Sequence, residues 1–149
     1  MNDERRRLSG TSWAIFFVRW VLGLIFLMAG TWKVFDLGPV GHAQRYFLPF
    51  ATTWIPLWLL WTLGVVIPFV ELAAGALVCL GLWLRPALVA LGGVLVIVSY
   101  GHLLQEPLYD TTHHIFPRLV LLTFVLVAPR AEDVLSLGAL WARFRSRQG

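Results

Sequence analysis

The sequence predicts an all-α protein: an integral membrane four-helix bundle with both termini on the cytoplasmic side and an amphipathic helix at its C-terminal end. Three observations carry that reading. Of the 149 residues 58% are apolar and only 13% charged, about half the roughly 25% charge content that coats an ordinary soluble globule. The apolar residues gather into four runs, and Lys and Arg are distributed very unevenly between the loops that join them. A soluble enzyme is excluded by this composition, and eight Trp with ten Phe exclude a disordered chain, which is poor in such residues.

A hydrocarbon core about 30 Å thick is crossed by roughly 20 apolar residues at 1.5 Å per residue. The candidate spans are Trp13 to Trp32, Ile55 to Leu82, Pro86 to Leu104 and His113 to Ala128. The first is not read as a cleaved signal, because it is too long for an apolar signal core, contains Arg19 and lacks a small-residue cleavage site before Lys33. The fourth is short and carries Pro117 and Arg118, so it is expected to pack inside the bundle with Pro117 bending its outer end.

Orientation follows from Lys and Arg, which short loops retain on the cytoplasmic side. One side collects Arg5, Arg6, Arg7, Arg85, Arg130, Arg143, Arg145 and Arg147; the other has only Lys33 and Arg45. Eight against two places both termini in the cytoplasm, in a bacterial-type plasma (inner) membrane. The stretch from Lys33 to Trp54 then lies outside, with Tyr46, Phe47, Phe50, Trp54, Trp58 and Trp61 at interfacial depth, as simple anchors or as a lid. From Ala131 to Arg147 the chain is too polar to span, yet Val134, Leu137, Trp141 and Phe144 recur at helical spacing opposite Asp133 and Arg143. Such a helix lies in the interface and either anchors the chain or docks a soluble partner. There is no internal repeat, and residues 1–149 read as one membrane domain. The charge of +4 and pI near 10 point to anionic headgroups of the lipid bilayer and not to nucleic acid, because the arginines sit in short groups beside apolar runs.

Two sets of polar residues stand out. Arg19 lies roughly 9 Å and Glu71 roughly 16 Å from the same end of their spans, each followed at i+4 by a glycine, Gly23 or Gly75. The expectation is a buried Arg19 to Glu71 pair across a close helix contact, acting as a structural clamp or as a proton-handling site. The second set gathers at the outer helix ends: Lys33, His102, His113, His114 and Arg118, with Asp36, Glu106 and Asp110 nearby. Histidine exchanges protons near neutral pH and donates to carbonyls, which suits a quinone headgroup. On a helix His114 and Arg118 share a face while adjacent His113 and His114 diverge by about 100°, so no metal site is read there. The lone Cys79 excludes a disulfide framework and a Cys-ligated zinc or iron–sulfur site; at i+4 from Gly75 it reads as a small packing residue.

The stretch FVELAAGALVCLGLWLRPALVAL, in which Glu71, Gly75 and Gly81 run into Arg85-Pro86, resembles the DoxX family of small four-helix membrane proteins. RWVLGLIFLMAGTWKVF, with Arg19, Gly23, Gly30 and Lys33, is similar to that family's first helix, and HHIFPRLVLL resembles its last. Two departures are Pro117 directly before Arg118 and the aromatic-rich outer segment. The resemblance, from Arg19 to Pro129, implies a redox-associated membrane protein: the DoxD branch is a membrane subunit of thiosulfate:quinone oxidoreductase, and other relatives are linked to oxidative-stress complexes or to methylamine dehydrogenase maturation. By analogy the chain is a quinone-interacting subunit with no intrinsic cofactor, taking electrons from a soluble or membrane redox partner protein. The competing reading is a non-catalytic anchor or assembly factor for a soluble enzyme. A small transporter is the weaker third reading, for want of inverted repeats.

Overall fold

The structure is a computed structural model that describes residues 9–108, 110 and 112–145. Arg5, Arg6, Arg7 and Arg147, and the side chains of Arg143 and Arg145, lie outside the described residues, and with them most of the basic side of the loop count. All regular structure in the described residues is helical.

Helix α1, Gly10–Thr31, starts on Ser9, whose hydroxyl accepts from the Ser12 amide at 3.1 Å, satisfying one of the amides a helix start leaves unpaired. It runs directly into a π-helical turn, Trp32–Asp36, marked by the Leu37 amide donating to the Trp32 carbonyl at 3.0 Å. Gly38, at φ 76°, then reverses the chain into α2, Pro39–Tyr46, with Pro39 in the first turn where its missing amide costs nothing. A 3₁₀ turn, Leu48–Thr52, leads to α3, Leu57–Leu80. Gly81, at φ 68°, caps α3 in the left-handed conformation, and α4, Leu84–Gln105, follows at once. After it come α5, Ile115–Val127, and the short α6, Leu137–Arg145.

Helices α1, α3 and α4 are long and apolar enough to cross a membrane. Helix α5 has 13 residues, about 20 Å at 1.5 Å each, which falls short of a full hydrocarbon core. It nevertheless completes the bundle: one buried cluster takes Leu22 and Phe26 from α1, Val78 from α3, Leu88 and Leu91 from α4, and Leu122 and Val125 from α5. Its end returns to the level at which α1 begins, where Glu132 accepts hydrogen bonds from Ser9 at 2.9 Å and Ser12 at 3.3 Å.

The structure corrects four sequence expectations. Residues 33–54 are not an open loop but hold the π turn, α2 and a 3₁₀ turn. Pro117 does not bend α5: it sits in the first turn, where a helix tolerates proline. Nor is α5 enclosed by the bundle, since Phe116, Leu119, Val120 and Val127 are exposed on its outer side. Helix α6 begins at Leu137, so Val134 and Asp133 precede it.

The most extensive helix interface joins α1 and α3, antiparallel, through a seam of small residues. A Cβ on Gly23 would lie 2.5 Å from Cys79 Sγ, one on Gly75 would lie 2.5 Å from the Leu27 amide nitrogen, and one on Gly30 would collide with the backbone of Leu72. Missing side chains here let two backbones approach, and close packing is what holds helices together in lipid. Gly93 on α4 has nothing within 4 Å of such an atom. Gly75→Val is therefore expected to lower thermal stability in detergent by about 2 kcal/mol or more through forced separation of the helices, while Gly93→Ala is neutral or slightly stabilising. Equal melting temperatures for the two variants would contradict the seam.

Candidate functional site

Arg19, the tenth of the 22 residues of α1, is fully buried. Its Nη1 donates to the Val78 carbonyl at 2.9 Å and to the Cys79 carbonyl, and its Nη2 donates to Leu135 O at 3.1 Å. The two α3 carbonyls are in the last turn, which carries partial negative charge, and that of Val78 also accepts from the Gly81 amide at 3.1 Å. Its Nε faces Asp133 Oδ1 at 3.4 Å, and neither of these two atoms has a hydrogen-bond partner. Burial pushes the Asp133 carboxyl above its ordinary range, and Arg19 partly offsets that rise. Gly81 closes the other side: a Cβ there would run into Ser136 and would approach the Arg19 guanidinium at 3.0 Å.

Arg19 and Glu71 are therefore not partners. The glycine seam sets α1 against α3 so that Arg19 meets residues 78 and 79, seven to eight residues, about 10–12 Å, along α3 from Glu71. The charge that answers Arg19 comes from the segment before α6, which sequence reading had placed on the polar face of an interfacial helix. Glu71 pairs instead with Lys33, Nζ to Oε2 at 2.5 Å. The Glu71 side chain is 6% exposed and that of Lys33 19%, so the pair is sheltered but can be reached through the lysine. Lys33 lies in the π turn, a backbone irregularity that often marks functional positions.

Sequence reading missed His42. It is buried in α2, and its Nδ1 donates to the Gly64 carbonyl at 2.6 Å, with the rings of Tyr46 and Phe47 beside it. That carbonyl is free because Pro68, four residues on, has no amide to close the α-helical bond. Gly64 also lets α2 come close, since a Cβ there would lie 2.6 Å from the Ala43 Cα. Burial lowers the His42 pKa, the bond to Gly64 acting the other way, and a carbonyl can only accept, so the ring is neutral with its proton on Nδ1. The signal was present in the sequence as a glycine four residues before a proline inside an apolar run.

The outer histidines do not join this arrangement as expected. His113 is exposed and pairs with Asp110 at 3.2 Å, and Asp110 also accepts from Thr112. His114 is the exposed N-cap residue of α5, so helix geometry does not relate it to Arg118. His102 is half-buried near the end of α4 and Arg118 half-exposed in the first turns of α5. The five predicted ligand-site residues thus divide: Lys33 is committed to Glu71, and His113 to Asp110. Among the described residues no group of three or more His, Cys, Asp or Glu side chains could hold a metal ion.

At the opposite end from Lys33, a cleft of about 730 Å³ opens between the α3–α4 turn, the end of α5 and α6. Arg85, Arg130 and Asp133 line it together with Leu88, Val125 and Leu126. Trp83, in the left-handed region at φ 45° and 80% exposed, stands at its wall.

The DoxX family profile matches residues 14–102. The chain belongs to the DoxX family. No curated protein and no solved structure matches it. The matched region of this DoxX protein contains Arg19, Lys33, His42, Glu71 and His102, and leaves His113, His114, Arg118 and Asp133 outside.

Double-mutant cycles on melting in detergent are expected to separate the pairs. Arg19→Met and Asp133→Leu should couple by about 1 kcal/mol or more, as should Lys33→Met with Glu71→Leu, because each single change strands a sheltered charge. Arg19→Met with Glu71→Leu should add within about 0.5 kcal/mol. Strong coupling between Arg19 and Glu71 would restore the pairing expected from sequence.

Proposed function

We propose that this DoxX protein is a redox-associated membrane subunit that receives the headgroup of a lipid-soluble quinone beside Lys33 and Glu71. The observation that carries the reading is the sheltered Lys33–Glu71 pair, set in a π turn inside the matched region. An ionised group inside a membrane domain is costly and usually has a task. The residues fit a quinone: Lys33 offers an ammonium donor to a carbonyl oxygen, Glu71 a carboxylate to accept or return the proton, and neighbouring Trp32 and Phe35 are exposed. When bound, a quinone supplies reversible two-electron, two-proton chemistry. Lys33 would orient the headgroup and Glu71 would hold the proton, while a partner protein of redox type supplies the electrons.

A second reading, a non-catalytic anchor or assembly factor, is favoured by one feature of α6. Leu137, Leu140, Trp141 and Phe144 are exposed along it at i, i+3, i+4 and i+7 spacing, one apolar stripe available to a bilayer surface or a soluble enzyme. In either reading we place α5 as the fourth crossing, both termini in the cytoplasm and the chain in a bacterial-type inner membrane, on the strength of the Arg and Lys asymmetry.

Titration of a short-chain quinone into the protein in nanodiscs should show saturable binding. Lys33→Met should weaken it by roughly 10- to 100-fold, as expected for loss of a charge-assisted hydrogen bond, with Lys33→Arg retaining most of it and His113→Ala leaving it unchanged. Absence of saturable binding in the parent chain ends the quinone reading and leaves the anchor. For topology, in a Cys79→Ala background, Trp54→Cys should react with a membrane-impermeant thiol reagent on intact cells and Gln148→Cys only after permeabilisation. Identical labelling of the two positions would overturn the orientation.

A further inference from the structure

The cleft at the Arg19 end plays no part in the quinone reading, and its chemistry differs from that of the Lys33 site. We propose that this cleft is a binding site for an anionic phospholipid, whose phosphate lies between Arg85 and Arg130 and whose acyl chain runs along Leu88, Val125 and Leu126. Four observations converge on that occupant. Arg85 and Arg130 both line the cleft, both are exposed, and no carboxylate among the described residues is ion-paired with either. Guanidinium groups bind phosphate oxygens in a two-pronged manner that an ammonium cannot reproduce.

The acidic residue of the lining is already answered. Asp133 faces Arg19 at 3.4 Å, so its carboxylate presents no uncompensated charge to an incoming anion, and the positive charges of Arg85 and Arg130 remain in surplus. Position supplies the third observation: Arg85 is the second residue of α4 and Arg130 follows α5 by three residues. Both arginines therefore stand at the ends of apolar helices, the depth at which phosphates of a bilayer lie, and basic pockets between membrane helices at that depth suit anionic headgroups. Finally, the cleft is apolar on the bundle side, and about 730 Å³ falls in the range of ligand pockets, room for a glycerophosphate and the first part of a chain. A free phosphate would leave that apolar surface unused.

Native mass spectrometry of the full chain, released from mixed micelles with equal amounts of phosphatidylglycerol, phosphatidylethanolamine and phosphatidylcholine, tests the assignment. The parent chain is expected to retain phosphatidylglycerol about tenfold over phosphatidylcholine. The R85Q/R130Q double variant should lose that preference and R45Q should keep it. Because the double variant could fail to fold, A142W provides a second arm: it fills the cleft wall without removing charge and should lower lipid retention with melting unchanged. Glycerophosphoglycerol and inorganic phosphate, tried as competitors, should displace little lipid; full displacement by either would make the site one for a soluble phosphate. Equal retention of the three lipids by the parent, or a preference that survives both R85Q/R130Q and A142W, overturns the proposal.

Discussion

A buried guanidinium has to be satisfied, and the way Arg19 is satisfied organises one whole end of this protein. Its Nη donors reach two carbonyls at the end of α3 and one before α6, and its Nε faces the carboxylate of Asp133 as an ion pair. Those groups come from two separate stretches of chain, the end of α3 and residues 133–135, so the arginine cannot be paired until α1, α3 and the C-terminal segment are all in place. Removing water from a charge costs several kcal/mol unless every lone pair and proton finds a partner. That penalty makes the arrangement specific: at Gly81, which caps α3, a Cβ would run into Ser136 and crowd the Arg19 guanidinium.

The second constraint is the glycine seam. Gly23, Gly30 and Gly75 let α1 and α3 touch backbone to backbone, which fixes their relative height to within a residue. Within that register the long side chains of Arg19 and Lys33 reach different parts of α3, Arg19 the carbonyls of Val78 and Cys79 and Lys33 the carboxylate of Glu71. The two intramembrane charges are thus answered separately, one at each end of the same interface. Pro68 adds a further consequence on α3: the carbonyl it frees at Gly64 holds His42 and with it α2.

These constraints give the DoxX fold here two chemically distinct ends. One carries a sheltered Lys–Glu pair on an irregular turn, the place proposed above for a quinone headgroup. The other carries a sealed arginine and a basic, partly apolar cleft, the place proposed above for an anionic phospholipid. The exposed histidines at residues 113 and 114 belong to neither: His113 pairs with Asp110, and His114 is the N-cap residue of α5.

The sequence by itself determined that the chain is a helical membrane protein of the DoxX family, the approximate limits of its long helices, and which glycines and charges matter. Those properties are local or compositional: hydropathy, helical spacing and the order Arg19, Gly23, Glu71, Gly75 can be read without knowing what touches what. Even so, the helical character of residues 39–46 escaped notice, because its signals, Gly38 for the reversal and Pro39 for the first turn, resemble those of a loop. What only the tertiary structure decided is who pairs with whom. Arg19 and Glu71 look close enough in depth to meet when measured from helix ends, yet Arg19 meets α3 seven residues from Glu71 under the close packing of small side chains. Their true partners, Asp133 and Lys33, stand 114 and 38 residues away along the chain. Pairing over such separations depends on the height at which one helix settles against another, and hydropathy carries no record of that height.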